Sequence, residues 1–167
     1  MADAADRQRL AEWVRQYGDG LHRYLRARVR DEHAAADLVQ EVFYRAWRQR
    51  LQYEERDRAR SYLFAIADRA ACDFLRRSRR FGSIEEIEPE EECDPATPLE
   101  RAEGAAIVRE GLARLSEAQQ RTLLLRFYGE MSFQEIANTL VCPLGTVLSH
   151  CHRGLEKLRD VMAEELA

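Results

Sequence analysis

Apolar residues recur every three or four positions through most of the chain, which predicts amphipathic helices. Near the N-terminus they form two sets, which are Leu10, Trp13, Val14 and Tyr17, and then Leu21, Tyr24, Leu25 and Val29. Gly18 and Gly20 lie between the sets, so we expect the first helix to break there.

Two further helices are predicted before position 81. Residues 33–50, HAAADLVQEVFYRAWRQR, have a wide apolar face and follow Asp31, a residue suited to capping a helix start. The opposite face carries Asp37, Gln40, Glu41, Tyr44, Arg45 and Arg48. Residues 62–80, YLFAIADRAACDFLRRSRR, form the fourth helix, and four arginines crowd its C-terminal end. Such a cluster is a strong phosphate-binding patch, although the helix dipole also favours cations at that end.

The C-terminal part contains a helix, a turn and a second helix. Ser132 and Glu135 are spaced as a capping box, and Pro143 ends the first pattern and suits the start of the next helix. We expect a buried stripe formed by Leu144, Val147, Cys151, Leu155, Leu158 and Met162. The other face carries Thr146, Ser149, His152, Arg153 and Lys157, which are side chains suited to base edges and phosphates in a DNA groove. An ordinary helical hairpin would show the same apolar periodicity.

Composition excludes several classes of protein. The 167 residues are 46% hydrophobic but contain no apolar run long enough to span a bilayer, and the N-terminus lacks a signal region, so we expect a cytoplasmic protein without membrane insertion. The four cysteines show no C-x-x-C pairing, and His150, Cys151 and His152 are neighbours that point in different directions on a helix. We therefore expect no metal and no cofactor. Motifs typical of enzyme active sites are absent from the sequence.

Charge is distributed unevenly along the chain. The net charge is −4, yet residues 1–80 hold 18 Arg against 13 acidic residues, whereas residues 81–110 hold 2 Arg against 10 acidic residues. Pro89, Pro95 and Pro98 fall within the acidic stretch, which lacks apolar periodicity. We therefore predict an all-α protein of two small helical domains, residues 1–80 and 99–167, joined by an acidic flexible linker over 81–98.

Three segments, in order, resemble bacterial RNA polymerase sigma factors of the extracytoplasmic-function (ECF) type. They are DLVQEVFYRAW (37–47), ARSYLFAIADRAACDFLRR (59–77) and residues 115–159. The resemblance implies sigma region 2 in the first domain and region 4 in the second. It also implies a transcription initiation factor that binds core RNA polymerase and double- and single-stranded promoter DNA. Family members are commonly held by an anti-sigma factor, so one is expected here, and we expect a monomer when the protein is free.

The resemblance assigns roles to three groups of residues. Asp37, Gln40 and Glu41 match the family's D-x-V-Q-E motif, which docks on the clamp helices of the largest polymerase subunit, and Tyr44 shares their face. The resemblance also implies that region 2 reads the promoter's minus-10 element and that the helix-turn-helix of region 4 reads its minus-35 element. The candidates for contact with the minus-10 element are Arg56, Arg58, Arg60, Tyr62, Arg69, Asp73, Arg76 and Arg77. Tyr53 could add base stacking, and Tyr62 could instead belong to the core. The minus-35 candidates are Thr146, Leu148, Ser149, His152, Arg153 and Lys157.

The second helix of the C-terminal pair, which we call the recognition helix, departs from the family pattern at two positions. Leu148 stands where the family usually has Lys or Arg, and His150 stands where the family usually has Arg. Fewer phosphate contacts predict weaker or differently specific minus-35 binding with a smaller salt dependence, and Leu148 could contact a thymine methyl group.

Two other functions remain compatible with parts of the sequence. A helix-turn-helix repressor or response-regulator output domain would explain residues 132–159 but neither DLVQEVFYRAW nor the Arg-rich fourth helix. An interaction protein with sigma-like domains could sequester a regulator instead of starting transcription.

Overall fold

The computed structural model describes residues 2–53, 58–82, 99–165 and 167, with side chains from residue 4 and, after the gap, from residue 104. Regular structure in these ranges is entirely helical, as the sequence predicted. The helices are α1 Ala2–Val29, α2 Glu32–Arg48, α3 Ala59–Arg80, α4 Leu99–Ala113, α5 Glu117–Phe127, α6 Phe133–Leu140 and α7 Leu144–Glu165. We call α1–α3 the N-terminal unit and α4–α7 the C-terminal unit.

The expected break in the first helix is wrong, because α1 runs unbroken through Gly18 and Gly20. A glycine inside a helix costs only about 1 kcal/mol relative to alanine, which tertiary packing can outweigh. At position 20 the packing is close, since an added Cβ would lie 3.3 Å from the carbonyl oxygen of Tyr128 and 3.4 Å from the Phe64 ring.

The N-terminal unit packs its three helices around one apolar core. Leu21, Tyr24 and Leu25 of α1 are fully buried there, together with Val42 of α2 and Leu63 of α3. Asp31 caps α2 as predicted, since its carboxylate accepts a 2.8 Å hydrogen bond from the backbone N–H of Ala34. The cap fixes where α2 begins, and the buried residues Leu38, Val42 and Phe43 determine which side of the helix faces outward.

The C-terminal unit has a defined start for two of its helices. Ser116 and Gln119 form a capping box at α5, and Ser132 and Glu135 form the predicted one at α6. Val141 ends α6 in the left-handed region, with φ 52° and ψ 53°, and Pro143 directly precedes α7. Ile136 of α6 and Val147 of α7 are fully buried and hold the two helices together across this turn.

The two units are in direct contact. Helix α5 packs on α1, and α6 packs on α3, so the buried core continues from one unit into the other. Of the predicted acidic linker, residues 83–98 lie outside the described residues.

Candidate functional site

One side of α2 presents four of the predicted contact residues to solvent. Asp37, Gln40 and Tyr44 are exposed and Glu41 is half-buried, and at 100° per residue the four span roughly 100° of the helix circumference. Glu41 accepts a 2.7 Å hydrogen bond from Arg45 one turn later. The apolar face is buried opposite, so this polar face is free to meet a partner.

Most of the predicted minus-10 residues form a row along α3. Tyr62, Arg69, Asp73 and Arg76 lie on one side of the helix within roughly 60° of arc, with Arg77 at its edge and Arg58 just before α3 begins. Arg69, Arg76, Arg77 and Arg58 are exposed. The row is cationic, with Asp73 set among the arginines and 3.4 Å from Arg76.

Tyr62 lies between solvent and core. Its ring packs against Tyr53 and Trp13, with ring centroids 4.7 and 6.2 Å apart, and its hydroxyl donates a 3.2 Å hydrogen bond to Gln49. Burial raises the pKa of the Tyr62 phenol. The Tyr53 and Tyr62 rings thus form an aromatic surface at the end of the cationic row, a combination suited to unstacked bases.

Two members of the minus-10 set stand apart from this row. Arg56 lies outside the described residues. Arg60 lies roughly 160° around α3 from Tyr62, and its guanidinium is 3.3 Å from the carboxylate of Glu130 in the C-terminal unit. The structure therefore does not bring Arg60 together with the other candidates.

The outward side of α7 carries the predicted recognition residues. His152, Arg153 and Lys157 are exposed, and Thr146 and Ser149 are half-buried. Four of the six, Thr146, Ser149, Arg153 and Lys157, lie within roughly 80° of the circumference, whereas Leu148 and His152 occupy the neighbouring sector. His152 is also 3.3 Å from Glu156. A hydrogen-bonding and cationic face of this kind can contact bases and phosphates together.

The predicted buried stripe of α7 is partly wrong. Val147 and Cys151 are buried and Leu158 is half-buried, but Leu144, Leu155 and Met162 keep 41%, 38% and 40% of their surface. Gly154 and Val161 are buried instead. A Cβ on Gly154 would lie 3.0 Å from Leu123 of α5, so the small residue allows α7 to approach α5. The buried face of α7 is therefore rotated towards Gly154 and Val161, which the predicted stripe did not include.

A polar cluster that is buried except at Arg121 lies where the two units meet, and sequence reasoning missed it. We call Tyr24, Arg28, Asp68, Gln120 and Arg121 the interdomain network. Asp68 is only 2% exposed and accepts hydrogen bonds from the Tyr24 hydroxyl at 2.7 Å and from Arg121 Nε at 2.9 Å. A second nitrogen of Arg121 binds the other carboxylate oxygen. The signal was present, because Asp68 interrupts the otherwise apolar buried side of α3.

Arg28 makes the second half of the network. It is 4% exposed and donates a 2.8 Å hydrogen bond to Gln120 and a 3.2 Å hydrogen bond to Glu117, both on α5. Burial and the neighbouring Asp68 carboxylate raise the pKa of Tyr24 well above its usual value. The hydrogen bonds to Asp68 raise the pKa of Arg121. Tyr24 therefore stays a neutral donor, and Arg121 stays a cation.

A smaller polar contact joins the start of α3 to α6. The Ser61 hydroxyl donates a 2.5 Å hydrogen bond to Glu135, the capping-box residue of α6. Burial acts to raise the pKa of Glu135, but hydrogen bonds from Ser61 and Ser132 and the charge of Arg60 outweigh it, so the pKa is lowered. Glu135 is thus held as a carboxylate between the two units.

Neither a metal cluster nor a membrane helix is found among the described residues. No group of three or more His, Cys, Asp and Glu side chains there could hold a metal ion. In the same ranges each helix is too short or too polar to cross a bilayer.

Comparisons with known proteins match both units. Residues 13–81 match the family model of sigma-70 region 2, and residues 111–160 match that of sigma-70 region 4. Two solved structures share the fold. CnrH in complex with the cytosolic domain of CnrY has a TM-score of 0.72 at 21% identity, covering 95% of this chain and 90% of CnrH. RpoE in complex with the anti-sigma factor NepR from Bartonella quintana has a TM-score of 0.73 at 19% identity, covering 92% of this chain and 96% of RpoE.

Curated relatives extend over nearly the whole chain. The sigma factor YlaC of Bacillus subtilis is 27% identical over 95% of this chain and 94% of its own length. The ECF sigma factor SigX of the same organism is 30% identical over 90% of this chain and 83% of its own length. The sigma-E factor of Streptomyces coelicolor is 31% identical over 89% of this chain and 83% of its own length. With both sigma regions present in order, the chain belongs to the ECF sigma factors, which are non-enzymatic initiation factors that direct RNA polymerase to specific promoters.

Proposed function

We propose that three exposed faces divide the work of initiation. The α2 face of Asp37, Gln40, Glu41 and Tyr44 docks on the clamp helices of core polymerase. The cationic row of α3 with its aromatic end holds the single-stranded minus-10 element, and the outward face of α7 reads the minus-35 element. The division assigns residues 1–80 to region 2 and 99–167 to region 4.

The observation that carries the proposal is the chemistry of the α2 face. It presents two carboxylates, an amide and a phenol on a domain that is otherwise rich in arginine. Carboxylates are repelled by a phosphate backbone but complement a basic protein surface. The faces of α3 and α7 carry the opposite charge and suit nucleic acid.

We also propose that the protein acts in the bacterial cytoplasm, where core polymerase and the chromosome are located. When free, it is a monomer in this proposal. RpoE of Bartonella quintana has been solved with an anti-sigma factor. We propose that an anti-sigma factor also holds this protein.

Reconstitution with purified core polymerase tests the proposal. We expect the chain to co-purify with core, to direct run-off transcription from a subset of genomic fragments, and to lose core binding when Glu41 is changed to Lys. Arg45→Glu is the matched control, because it reverses a charge one helical turn from Glu41. It removes the same 2.7 Å pair but leaves the D-x-V-Q-E residues intact.

Three outcomes would contradict the proposal. Binding to an operator as a dimer without core polymerase would favour a repressor. Core binding without initiation on any fragment would favour a sequestering protein with sigma-like domains. Retained core binding in Glu41→Lys would remove the α2 motif from the docking surface.

A further inference from the structure

We propose that an arginine-lined cavity at the C-terminal end of α3 binds a small ligand that carries a pyrophosphate group. We call it the arginine cavity. Its volume is about 500 Å³, and the charged side chains that line it are Arg76, Arg79, Arg80, Arg121 and Glu117. The site does not rest on the proposed function, because the argument uses only the shape and charge of these residues.

The cavity is formed by side chains that converge from two helices. On α3, Cys72, Arg76 and Arg79 are spaced by one helical turn each and lie within roughly 60° of the circumference, with Arg80 at the edge of this sector. Arg121 of α5 closes the opposite side. A volume of this size falls within the range of about 300–1,000 Å³ that small-molecule sites have.

The carboxylate in the lining is already matched by a cation. Glu117 accepts a 3.2 Å hydrogen bond from Arg28, whose side chain is almost fully buried behind Cys72. Arg121 in turn is bound to Asp68. These pairs leave the charge of the cavity to the arginines of α3.

Two of those arginines have no counterion within the protein. Arg76 is 3.4 Å from Asp73. Among the described residues, however, neither Arg79 nor Arg80 has a carboxylate within 4 Å. Two guanidinium groups therefore lie unpaired at a cavity that a ligand can enter, and a ligand with at least two negative charges would balance them.

Phosphate is the anion that this lining suits best. A guanidinium group donates two parallel hydrogen bonds to a phosphate, which a spherical anion cannot accept in the same way. Helix α5 begins at Glu117, so the positive end of its dipole lies at the same cavity. One phosphate can engage one or two guanidinium groups, whereas two linked phosphates can engage Arg79, Arg80 and Arg76 together.

A small ligand fits the cavity better than a nucleic-acid strand does. A strand carries one charge per nucleotide, whereas a pyrophosphate group concentrates its charges on two adjacent phosphorus atoms. The row proposed to bind the minus-10 strand shares Arg76 with the cavity. Among the described residues, Arg69 and Arg77 of that row do not line the cavity. The two surfaces are therefore neighbours with different shapes.

Isothermal titration calorimetry of the full chain tests the proposal at constant ionic strength and without divalent metal. The probes are inorganic pyrophosphate, ADP, orthophosphate and a single-stranded oligonucleotide. We expect pyrophosphate to bind with a stoichiometry of one, and orthophosphate to bind at least about ten-fold more weakly because it reaches fewer guanidinium groups. Comparing ADP with pyrophosphate distinguishes a nucleotide from the free anion as the source of the group.

Three variants locate the binding site. Arg79→Ala should weaken pyrophosphate binding about ten-fold, because it removes a charged hydrogen-bond donor. Glu117→Gln keeps an oxygen for Arg28 but removes the negative charge, so it should tighten pyrophosphate binding about five-fold. Arg77→Ala is the matched control, since it removes a cation from the same helix end but outside the cavity. Its pyrophosphate affinity should stay within about two-fold of the parent value.

The oligonucleotide separates the cavity from the surface that is proposed to bind DNA. Arg77→Ala should weaken its binding more than Arg79→Ala does, which is the reverse of the order for pyrophosphate. Circular dichroism reports whether each variant keeps its helices, and the gain expected in Glu117→Gln cannot arise from misfolding.

The following results would overturn the proposal. They are no binding of pyrophosphate or ADP to the parent protein, equal affinities for pyrophosphate and orthophosphate, or equal losses of pyrophosphate binding in Arg77→Ala and Arg79→Ala. A loss of oligonucleotide binding in Arg79→Ala as large as its loss of pyrophosphate binding would make the cavity part of the DNA surface. If pyrophosphate binds as expected but the protein does not bind core polymerase, the proposed function fails and the ligand site stands.

Discussion

The phenol of Tyr24 on α1 donates a 2.7 Å hydrogen bond to the carboxylate of Asp68 on α3, and neither side chain is more than 2% exposed. The pair joins two helices of one unit and presents the carboxylate to Arg121 of the other unit. Tyr24 is therefore both a core residue and the support of the charge at the contact between the units.

Removing the Tyr24 hydroxyl should destabilise the protein. In Tyr24→Phe the ring still fills the core, but Asp68 loses one of its hydrogen bonds while it remains buried. A buried polar group that loses a partner costs roughly 1–3 kcal/mol, so we expect the free energy of unfolding to fall by about 1–2 kcal/mol. Urea denaturation followed by circular dichroism measures this.

Tyr44→Phe is the matched control, because the Tyr44 ring is 56% exposed. We expect its free energy of unfolding to stay within about 0.5 kcal/mol of the parent value. Equal effects of the two substitutions would show that the bond between Tyr24 and Asp68 does not stabilise the fold.

The same phenol should make stability depend on alkaline pH. The pKa of Tyr24 is raised in the folded protein, first by burial and then by the Asp68 carboxylate. The unfolded chain therefore loses this proton at lower pH, near 10. The stabilisation is fully present below about pH 10 and is lost as pH rises towards the folded pKa, by at most about 1.4 kcal/mol per pH unit.

Comparing Tyr24→Phe with the parent protein isolates this dependence. We expect the free energy of unfolding of the parent to fall more steeply between pH 9.5 and 11 than that of the variant. All other titrating groups, including Tyr62, are common to both proteins. Parallel pH profiles would contradict a raised Tyr24 pKa.

Helix starts and exposed helix faces could be predicted because they depend on residues that are close in sequence. The Asp31 cap and the capping box of Ser132 and Glu135 form as expected, since each needs only residues a few positions apart. The exposed face of α2 followed from its apolar spacing. These features explain why the helical class and the placement of the α2 residues could be predicted.

Contacts between distant residues explain what could not be predicted. Gly20 continues α1 because it packs against Phe64 and Tyr128, which lie far away in sequence. Gly154 turns α7 towards Leu123, although a glycine has no side chain for an apolar pattern to register. Asp68 has its partner 53 positions away, so its role depends on how the two units pack.

The turn between α6 and α7 contains a strained residue. Val141 has a φ of 52° and is 87% exposed, so its branched side chain gains little burial for the left-handed conformation it adopts. That conformation costs an L-residue roughly 1–2 kcal/mol, whereas glycine adopts it freely. After the extra chain entropy of glycine is subtracted, we expect Val141→Gly to raise the free energy of unfolding by about 0.5–1 kcal/mol.

A second exposed valine supplies the control for this substitution. Val14 lies within α1 and is 45% exposed. Val14→Gly should lower the free energy of unfolding by about 0.5–1 kcal/mol, because glycine is less favourable than valine in a helix interior and the packed part of the side chain is lost. Thermal unfolding of both variants measures the signs, and destabilisation by both would show that Val141 is not strained.

Position 148 should determine how strongly minus-35 binding depends on salt. Leu148 is 44% exposed and lies beside the outward face of α7, at a position where the resemblance to the sigma family predicts a cation. An arginine there would add one phosphate contact. In binding to a minus-35 duplex, we expect Leu148→Arg to steepen the plot of log K against log salt concentration by about 0.9 and Arg153→Ala to flatten it by the same amount.

Leu155→Arg is the matched control, since it adds the same cation two turns further along the same edge of α7. If the DNA meets the first turns of α7, this variant should change the slope less than Leu148→Arg does, because its cation lies further from the phosphates. Unchanged affinity and slope in Leu148→Arg would show that position 148 does not face DNA. The departure from the family pattern would then leave promoter binding unaffected, and Thr146, Ser149, Arg153 and Lys157 alone would form the groove-facing surface.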